Sequence, residues 1–142
     1  MLVHCLYASR SRAPLDPKVL DSILVTSHRN NMENGITGIL CFNETTFIQL
    51  LEGSRREVSS LFRNIAQDDR HFDVELLLHE EIERRSFSSW TMGKVNLDKV
   101  NPAILLRYSE KPKLDPFSSS GSAVLSLLTE LVNTASISIR SS

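Results

Sequence analysis

The 142-residue sequence lacks the features of a membrane protein, a secreted protein or a nucleic-acid-binding protein. No apolar run approaches the ~20 residues that span a bilayer. The first residues, MLVHCLYASRSR, have neither the basic start nor the long apolar core of a secretory signal. A formal net charge of -1 gives no electrostatic reason to expect nucleic acid or an anionic membrane as a partner. We therefore expect a cytoplasmic protein without either partner.

Cysteine pairs and metal-ligand patterns are also missing. Cys5 and Cys41 lie in apolar runs without CxxC spacing, which indicates buried free thiols in a reducing compartment. The histidines, which are His4, His28, His71 and His79, show no paired ligand spacing, so no metal site is predicted. The composition, 41% hydrophobic and 23% charged, is that of an ordinary globular domain with a genuine core.

Apolar spacing predicts the element order β-α-β-β-α-β-β. The strand-like runs are LVHCLYAS, ITGILCF, TFIQLLEG, FDVELLLHEEI and RSFSSWTMGKV. The first helix follows Asp16 and Pro17, a preferred N-cap and first helical residue, and should end before Gly35. The second follows Ser54, which has capping-box spacing to Glu57. This order predicts an α+β, ferredoxin-like sheet with two helices on one face and one added strand.

The pattern changes after about Asp98, so we expect residues 1–97 to form one domain and residues 98–142 a C-terminal helical extension. The extension carries an apolar stripe at helical spacing, formed by Val124, Leu127, Leu128, Leu131 and Val132. This stripe must cover either the open face of its own sheet or another subunit, so a homodimer is compatible with it. The final SISIRSS is expected to fray.

A single polar residue interrupts the apolar strand TFIQLLEG. Alternation places Gln49 on the same face as Phe47 and Leu51, so its side chain cannot easily turn to solvent. A carboxamide buried without partners costs roughly 1–3 kcal/mol on protein mutational scales. Gln49 must therefore have hydrogen-bond partners inside the protein.

Other side chains near the predicted helix–sheet interlayer do not fit a plain core. Tyr7 lies on a buried strand face, and Asn30 and Asn31 stand together at the end of the first helix. Trp90 and Met92 share one face of the last predicted strand through i, i+2 spacing. Each alone is typical of a satisfied core or capping residue. Together with the strand glutamine, the phenol and amides could line a polar pocket for a flat, hydrogen-bonding ligand.

The stretch NNMENGITGILCFNETTFIQLLEG closely resembles the central motif of BLUF domains, blue-light sensors that bind flavin adenine dinucleotide (FAD). Tyr7 stands at the family's distance before the glutamine. DDRHFDV is similar to the family's post-helix turn, with Asp69 where a proline is common, and SFSSWTMG is similar to its late Trp-x-Met segment. The resemblance covers residues 1–97 and implies a short, stand-alone photoreceptor rather than an enzyme.

The resemblance also implies roles for individual residues. The flavin ring would lie between the two main helices, held by Asn30, Asn31, Gln49, Asp68, Arg70 and His71. Gln49 would bridge Tyr7 and the N5/C4=O edge of the ring. Light would move an electron from Tyr7 and a proton through Gln49, leaving a rearranged hydrogen-bond network and a chemically unchanged pigment.

Signal transmission is implied by the same resemblance. Trp90 and Met92 would shift or exchange, and the C-terminal helix would read the change and pass it to a downstream signalling protein that the sequence does not identify. FAD as the cofactor comes from the family, since the residues alone do not separate FAD from FMN or riboflavin.

Two other functions are compatible with parts of the sequence. A non-photosensory regulatory module binding a metabolite or a protein would share this architecture, because fold does not determine function. An acylphosphatase-type enzyme would need a phosphate-binding loop after the first strand. The segment SRSRAP offers Arg10 and Arg12 there but no glycine-rich cradle.

Overall fold

The fold is that of a computed structural model, which describes residues 1–13, 17–88, 92–132 and 138–139. The strands are β1 (Leu2–Ser11), β2 (Thr37–Phe42), β3 (Thr46–Ser54), β4 (His71–Ile82), β5 (Gly93–Asn96) and β6 (Ser138–Ile139). The helices are α1 (Pro17–Asn34), α2 (Arg55–Ala66), α3 (Pro102–Leu106) and α4 (Gly121–Val132), with a 3-10 turn at Leu97–Lys99. None of the helices in the described part of the chain has the length and apolar character needed to span a bilayer.

The strands form one mixed sheet in the order β4-β1-β3-β2-β5-β6. Its first four members are antiparallel neighbours in the order 4-1-3-2, which is the ferredoxin-like arrangement. β5 then adds parallel to β2, and β6 pairs antiparallel with β5. The predicted α+β, ferredoxin-like class is confirmed, and β5 is the predicted added strand. The short strand β6 was not predicted.

Local sequence signals explain where the two main helices end and begin. Gly35 has φ +67°, and the Ile36 N–H donates to the carbonyl of Asn31 at 2.8 Å, which is the Schellman pattern at the end of α1. At the start of α2, Oγ of Ser54 accepts a hydrogen bond from the N–H of Glu57 at 3.2 Å. These contacts confirm the predicted end of α1 and the predicted N-cap of α2.

The β2–β3 hairpin sets the register of the central strands. Oδ1 of Asn43 accepts from the N–H groups of Thr45 and Thr46, both at 2.9 Å, and so closes the turn with a side-chain oxygen. On the other side of β3, the separate pairing of β1 with β3 places Gln49 directly opposite Tyr7. Opposed residues of an antiparallel pair project from the same sheet face, so the phenol and the carboxamide meet.

Two apolar clusters cover opposite faces of the sheet. One lies under α1 and α2 and includes Val3, Cys5, Tyr7, Leu40, Phe47, Leu51, Val58 and Met92. The other joins strand residues such as Leu6, Ile48 and Leu50 to the C-terminal helices. The described members of the C-terminal stripe are completely buried in it, namely Val124, Leu127, Leu128 and Leu131. The stripe therefore covers the chain's own sheet and supplies no argument for a homodimer.

Helix α4 lies in close contact with the sheet at its first residue, Gly121. A Cβ placed there would lie 2.6 Å from the carbonyl oxygen of Leu77 and 2.6 Å from Cγ of Leu78. Gly121→Ala should therefore push α4 away from β4 and lower the free energy of unfolding by about 1–3 kcal/mol, the usual cost of overpacking. Urea denaturation measures this. Ser122→Ala changes the next, exposed residue and should unfold like the wild type; equal stability of the two variants would contradict the close contact.

Two expectations about the end of the sheet are wrong. The last main strand does not contain Met92, because parallel pairing with β2 begins only at Gly93. The C-terminal residues 138–139 do not fray as expected, since their backbone pairs with Gly93 and Lys94. Trp90 lies outside the described residues, and so does Asp16, the predicted N-cap of α1.

Strand β4 departs from simple alternation. The spacing of Val74, Leu76 and Leu78 predicts one shared face, yet Leu76 is 52% exposed. The register with β1 slips at Leu77, so Leu77 and Leu78 pack toward the C-terminal helices while Val74 packs toward the other face. A bulge of this kind adds one residue to one strand and reverses the faces beyond it.

Candidate functional site

A cavity of about 260 Å³ lies between the sheet and helices α1 and α2. Its lining includes every residue predicted to hold a cofactor, which are Asn30, Asn31, Gln49, Asp68, Arg70 and His71, together with Tyr7. Asn31 is buried, whereas Asn30 and Arg70 are exposed, so the cavity opens to solvent on their side. The structure thus gathers residues that are up to 64 positions apart into one wall.

A buried chain of hydrogen bonds runs along the sheet side of this cavity. The hydroxyl of Tyr7 donates to Oε1 of Gln49. Nε2 of Gln49 donates in turn to Sδ of Met92 at 3.4 Å. The three side chains are 4%, 6% and 0% exposed, respectively. The strand glutamine therefore has partners at both ends of its amide, as its burial requires.

The chemistry of these partners determines the orientation of the amide. A thioether sulfur only accepts hydrogen bonds, and accepts them weakly, so it faces the NH₂ group of Gln49. The carbonyl end then faces Tyr7, whose hydroxyl donates. Turning the amide over would place its oxygen against the sulfur of Met92, two acceptors in contact. The observed orientation is thus preferred, but one of the two bonds that hold it is weak.

The phenol of Tyr7 stays protonated in this environment. Burial in the apolar layer raises the pKa of Tyr7 well above its usual value, with smaller contributions from Cys5 and the carboxylate of Asp68. A phenolate alone would be a buried, uncompensated charge. Tyr7 can therefore give up its proton only if an electron leaves with it, and Oε1 of Gln49 is the acceptor already in place.

Two aromatic contacts enclose the hydrogen-bond chain. The rings of Tyr7 and Phe62 are 5.6 Å apart with an interplanar angle of 58°. Phe47 meets the ring of His71 edge to face at 6.3 Å. Such tilted and T-shaped pairs favour fixed ring positions and exclude water from the wall.

His71 ties the end of α2 to β1. Its Nε2 contacts the carbonyl of Ile65, and since a carbonyl only accepts, Nε2 carries the proton. Nδ1 then accepts from the hydroxyl of Ser9 at 2.7 Å in the neutral ring. Both ring nitrogens are used within the protein, so His71 offers the cavity a ring surface rather than a hydrogen bond.

Asp68 and Arg70 form an ion pair at the cavity rim. The guanidinium Nε lies 3.0 Å from both carboxylate oxygens of Asp68. Hydrogen bonding from Arg70 lowers the pKa of Asp68 to about 2. The carboxylate is therefore charged at all physiological pH values and stays aligned with its partner.

Sequence reasoning missed the apolar and helical part of the lining. Leu40 and Phe47 come from the strands, and α2 contributes Leu61, Asn64 and Ile65. The available signals were alternation, which places Phe47 beside Gln49, and the i, i+3 and i+4 spacing along α2. Within the described parts of the chain, no group of three or more histidine, cysteine, aspartate or glutamate side chains is arranged to hold a metal ion.

The geometry defines a class of protein: a ferredoxin-like ligand-binding domain with a buried phenol–amide relay in its cavity wall. The family model for BLUF, sensors of blue-light using FAD, matches residues 2–93. The chain belongs to the BLUF family.

Individual relatives agree with this assignment. The chain is 37% identical over 97 residues to the blue light- and temperature-regulated antirepressor BluF of Escherichia coli (strain K12), covering 68% of this chain and 24% of that protein. It is 34% identical over 87 residues to the photoactivated adenylate cyclase subunit beta of Euglena gracilis, covering 61% of this chain and 10% of that protein. The chain thus matches about a quarter and a tenth, respectively, of these relatives' lengths.

Solved structures match over nearly the whole chain. BlsA in its photo-activated state superposes with a TM-score of 0.83 at 28% identity, covering 98% of this chain and 100% of that one. The dark-state structure of BlrB, a BLUF protein, gives 0.74 at 31% identity, covering 92% and 94%. The chain is therefore a member of the family of blue-light sensors that use FAD, and this prediction is confirmed.

The cavity residues fit the ring system of FAD. Apolar side chains, among them Leu40, Phe47 and Ile65, offer surface to a flat aromatic system. The amides of Gln49 and Asn31 offer donors and acceptors at its edges. The volume lies just below the ~300–1,000 Å³ usual for pockets that hold drug-sized ligands, so it suits part of the cofactor.

Proposed function

We propose that Tyr7 and Gln49 carry the light response, and that Asn30, Asn31, Asp68, Arg70 and His71 help to hold FAD. The observation that supports this is the buried hydrogen-bond chain from Tyr7 through Gln49 to Met92 along the cavity wall. Most side-chain hydrogen bonds in proteins go to backbone or water, whereas both partners of Gln49 are side chains that border the cavity or adjoin β5.

The residues of the chain move one proton between stated atoms. Bound FAD supplies blue-light absorption and one-electron chemistry. Tyr7 would give one electron to the light-excited flavin, and the oxidised phenol would pass its hydroxyl proton to Oε1 of Gln49, which leaves a neutral radical rather than a buried charge. When electron and proton return, the phenol is restored, and the amide has rotated or tautomerised at little steric cost.

Met92 is the residue that first registers this change. Rotation of the Gln49 amide removes the donor that faces Sδ of Met92 and replaces it with an acceptor. Met92 directly precedes β5, and Val95 within β5 packs against the C-terminal helices on the other sheet face. A movement of Met92 is therefore coupled through β5 to those helices.

We further propose that residues 1–97 sense light and residues 98–142 transmit the signal. Trp90, predicted to act with Met92, lies outside the described residues. The names of the relatives associate similar modules with an antirepressor and with adenylate cyclase subunits. This chain would likewise act on a signalling protein, whose identity its residues do not specify. The homodimer and the cytoplasmic location stay predictions.

A light-minus-dark absorption spectrum tests the proposed function. Purified protein should be yellow, and its flavin bands should shift reversibly to longer wavelength under blue light. Colourless protein that does not take up added FAD would contradict the proposal. So would bound flavin whose spectrum is unchanged by blue light.

Hydrogen exchange tests the proposed route of the signal. Lit and dark protein should differ in backbone exchange within residues 86–135, because this range includes Met92, β5 and both C-terminal helices, α3 and α4. Light-induced differences confined to residues before 86 would exclude the C-terminal route.

A further inference from the structure

Glu52 is a completely buried carboxylate outside the flavin cavity. It lies on β3 three residues after Gln49, and strand alternation directs it to the opposite sheet face. Its Oε2 accepts from the N–H of Ser86 at 2.8 Å, and its Oε1 accepts from the N–H of Phe87 at 2.9 Å. Oε1 also accepts from the hydroxyl of Thr37 at 3.3 Å.

These bonds are specific in direction. Two consecutive backbone N–H groups each receive their own carboxylate oxygen, which fixes both the position and the heading of the chain at Ser86 and Phe87. Arg85 is half-buried beside them and donates to the hydroxyl of Thr37 at 3.0 Å. Thr37 in turn donates to Glu52, so Arg85 is linked to the same hydrogen-bond network. A buried carboxylate is weak evidence for a stabilising role, because an apolar residue of similar volume often gives the folded protein equal or greater stability. Its distinctive contribution is this fixed geometry.

The anchored segment connects the two faces of the sheet. Phe87 is buried in the cluster under the C-terminal helices, whereas Met92 is buried in the cluster that borders the flavin cavity. Strand β3 therefore holds this segment at both ends. Gln49 holds Met92 through Nε2, and Glu52 holds Ser86 and Phe87 through its carboxylate.

We propose that Glu52 is a positioning residue for the light response. Acting through the backbone of Ser86 and Phe87, it holds Met92 against Gln49 in the dark and keeps Phe87 fixed while Met92 moves in the light. This inference rests on the proposed roles of Gln49 and Met92. A merely structural Glu52 would affect stability and leave the kinetics of the photocycle unchanged.

Glu52→Gln tests the proposal with minimal change of shape. The amide keeps one acceptor oxygen, and its NH₂ opposes the second backbone N–H. Bound FAD and the dark spectrum should be retained. Dark recovery after blue light should change by about threefold or more, as for residues coupled to a site they do not touch. In the dark, the Ser86 or Phe87 amide should exchange about tenfold faster, because a hydrogen bond to a charge is lost.

Leu105→Ala is the matched control. Leu105 is buried in the same cluster as Phe87 and has no hydrogen bond to the anchored segment among the contacts that the structure describes. Its truncation should lower stability while dark recovery stays at the wild-type rate. Recovery of Glu52→Gln at the wild-type rate, with lowered stability alone, would overturn the proposal.

A measurement on the wild-type protein decides the matter if Glu52→Gln does not fold. The amides of Ser86 and Phe87 should be protected from exchange in both the dark and the lit protein. Fast exchange of both in the dark would overturn the proposed anchor. This dark measurement does not depend on a photocycle, so it separates failure of the anchor from failure of the proposed light response.

Discussion

Tyr7→Phe is expected to keep FAD bound and to abolish the reversible red shift under blue light. The variant removes only the hydroxyl, so the ring contact with Phe62 at 5.6 Å is retained. The proton source for Oε1 of Gln49 disappears, and phenylalanine is a far weaker electron donor than tyrosine. The shift amplitude should fall to the noise level in a light-minus-dark spectrum.

The same substitution carries a moderate stability cost. Oε1 of Gln49 loses its donor and becomes a buried acceptor without this partner, which costs about 1–3 kcal/mol. Tyr108→Phe is the matched control, because Tyr108 is the only other tyrosine in the sequence and lies against the C-terminal helices. It should show a normal photocycle. A normal photocycle in Tyr7→Phe as well would refute the donor role of Tyr7.

Features that depend on neighbouring residues were predictable from the sequence. The end of α1 at Gly35 and the N-cap of α2 at Ser54 each involve contacts within five residues. Such contacts depend on side-chain chemistry and backbone conformation at one place in the chain. The ferredoxin-like order followed from them and from apolar spacing.

Features that depend on register were not predictable in the same way. The position of Gln49 opposite Tyr7 comes from the pairing of β1 with β3, and only the family resemblance linked the two residues beforehand. The bulge at Leu77 reverses the faces of β4, and no residue type in that segment signals it. Apolar spacing alone therefore placed Leu78 on the same face as Val74, whereas it lies on the opposite face.

Long-range polar contacts were missed for a related reason. Glu52 in the motif LEG has the appearance of an ordinary strand-end carboxylate, yet it is buried because the segment after β4 returns to it 34 residues later. Likewise, the stripe on α4 predicted burial without saying against what. Gly121 was the informative residue, since only a glycine there permits such close contact with β4.

Gln49→Leu is expected to remove the light-induced spectral shift even though the flavin stays bound. Leucine has a similar volume and suits a strand face that already holds Phe47 and Leu51, so the fold should tolerate it. The substitution removes both the acceptor for Tyr7 and the donor to Met92. Without an amide there is no group whose donor and acceptor ends can exchange.

Two readouts separate the roles of the two ends of the amide. The light-minus-dark spectrum should be flat, because the phenol has no acceptor on the cavity wall. Hydrogen exchange at Met92 and β5 should also be the same in the light and in the dark, because the sulfur of Met92 no longer faces an amide that can rotate.

Gln67→Leu is the matched control, since Gln67 is the only other glutamine in the sequence and is exposed at the end of α2. It should behave as the wild type. If the light-induced spectral shift persists in Gln49→Leu, another group on the cavity wall is responsible for it. The hydrogen bond from Gln49 to Met92 would then not be the contact through which the light response reaches β5.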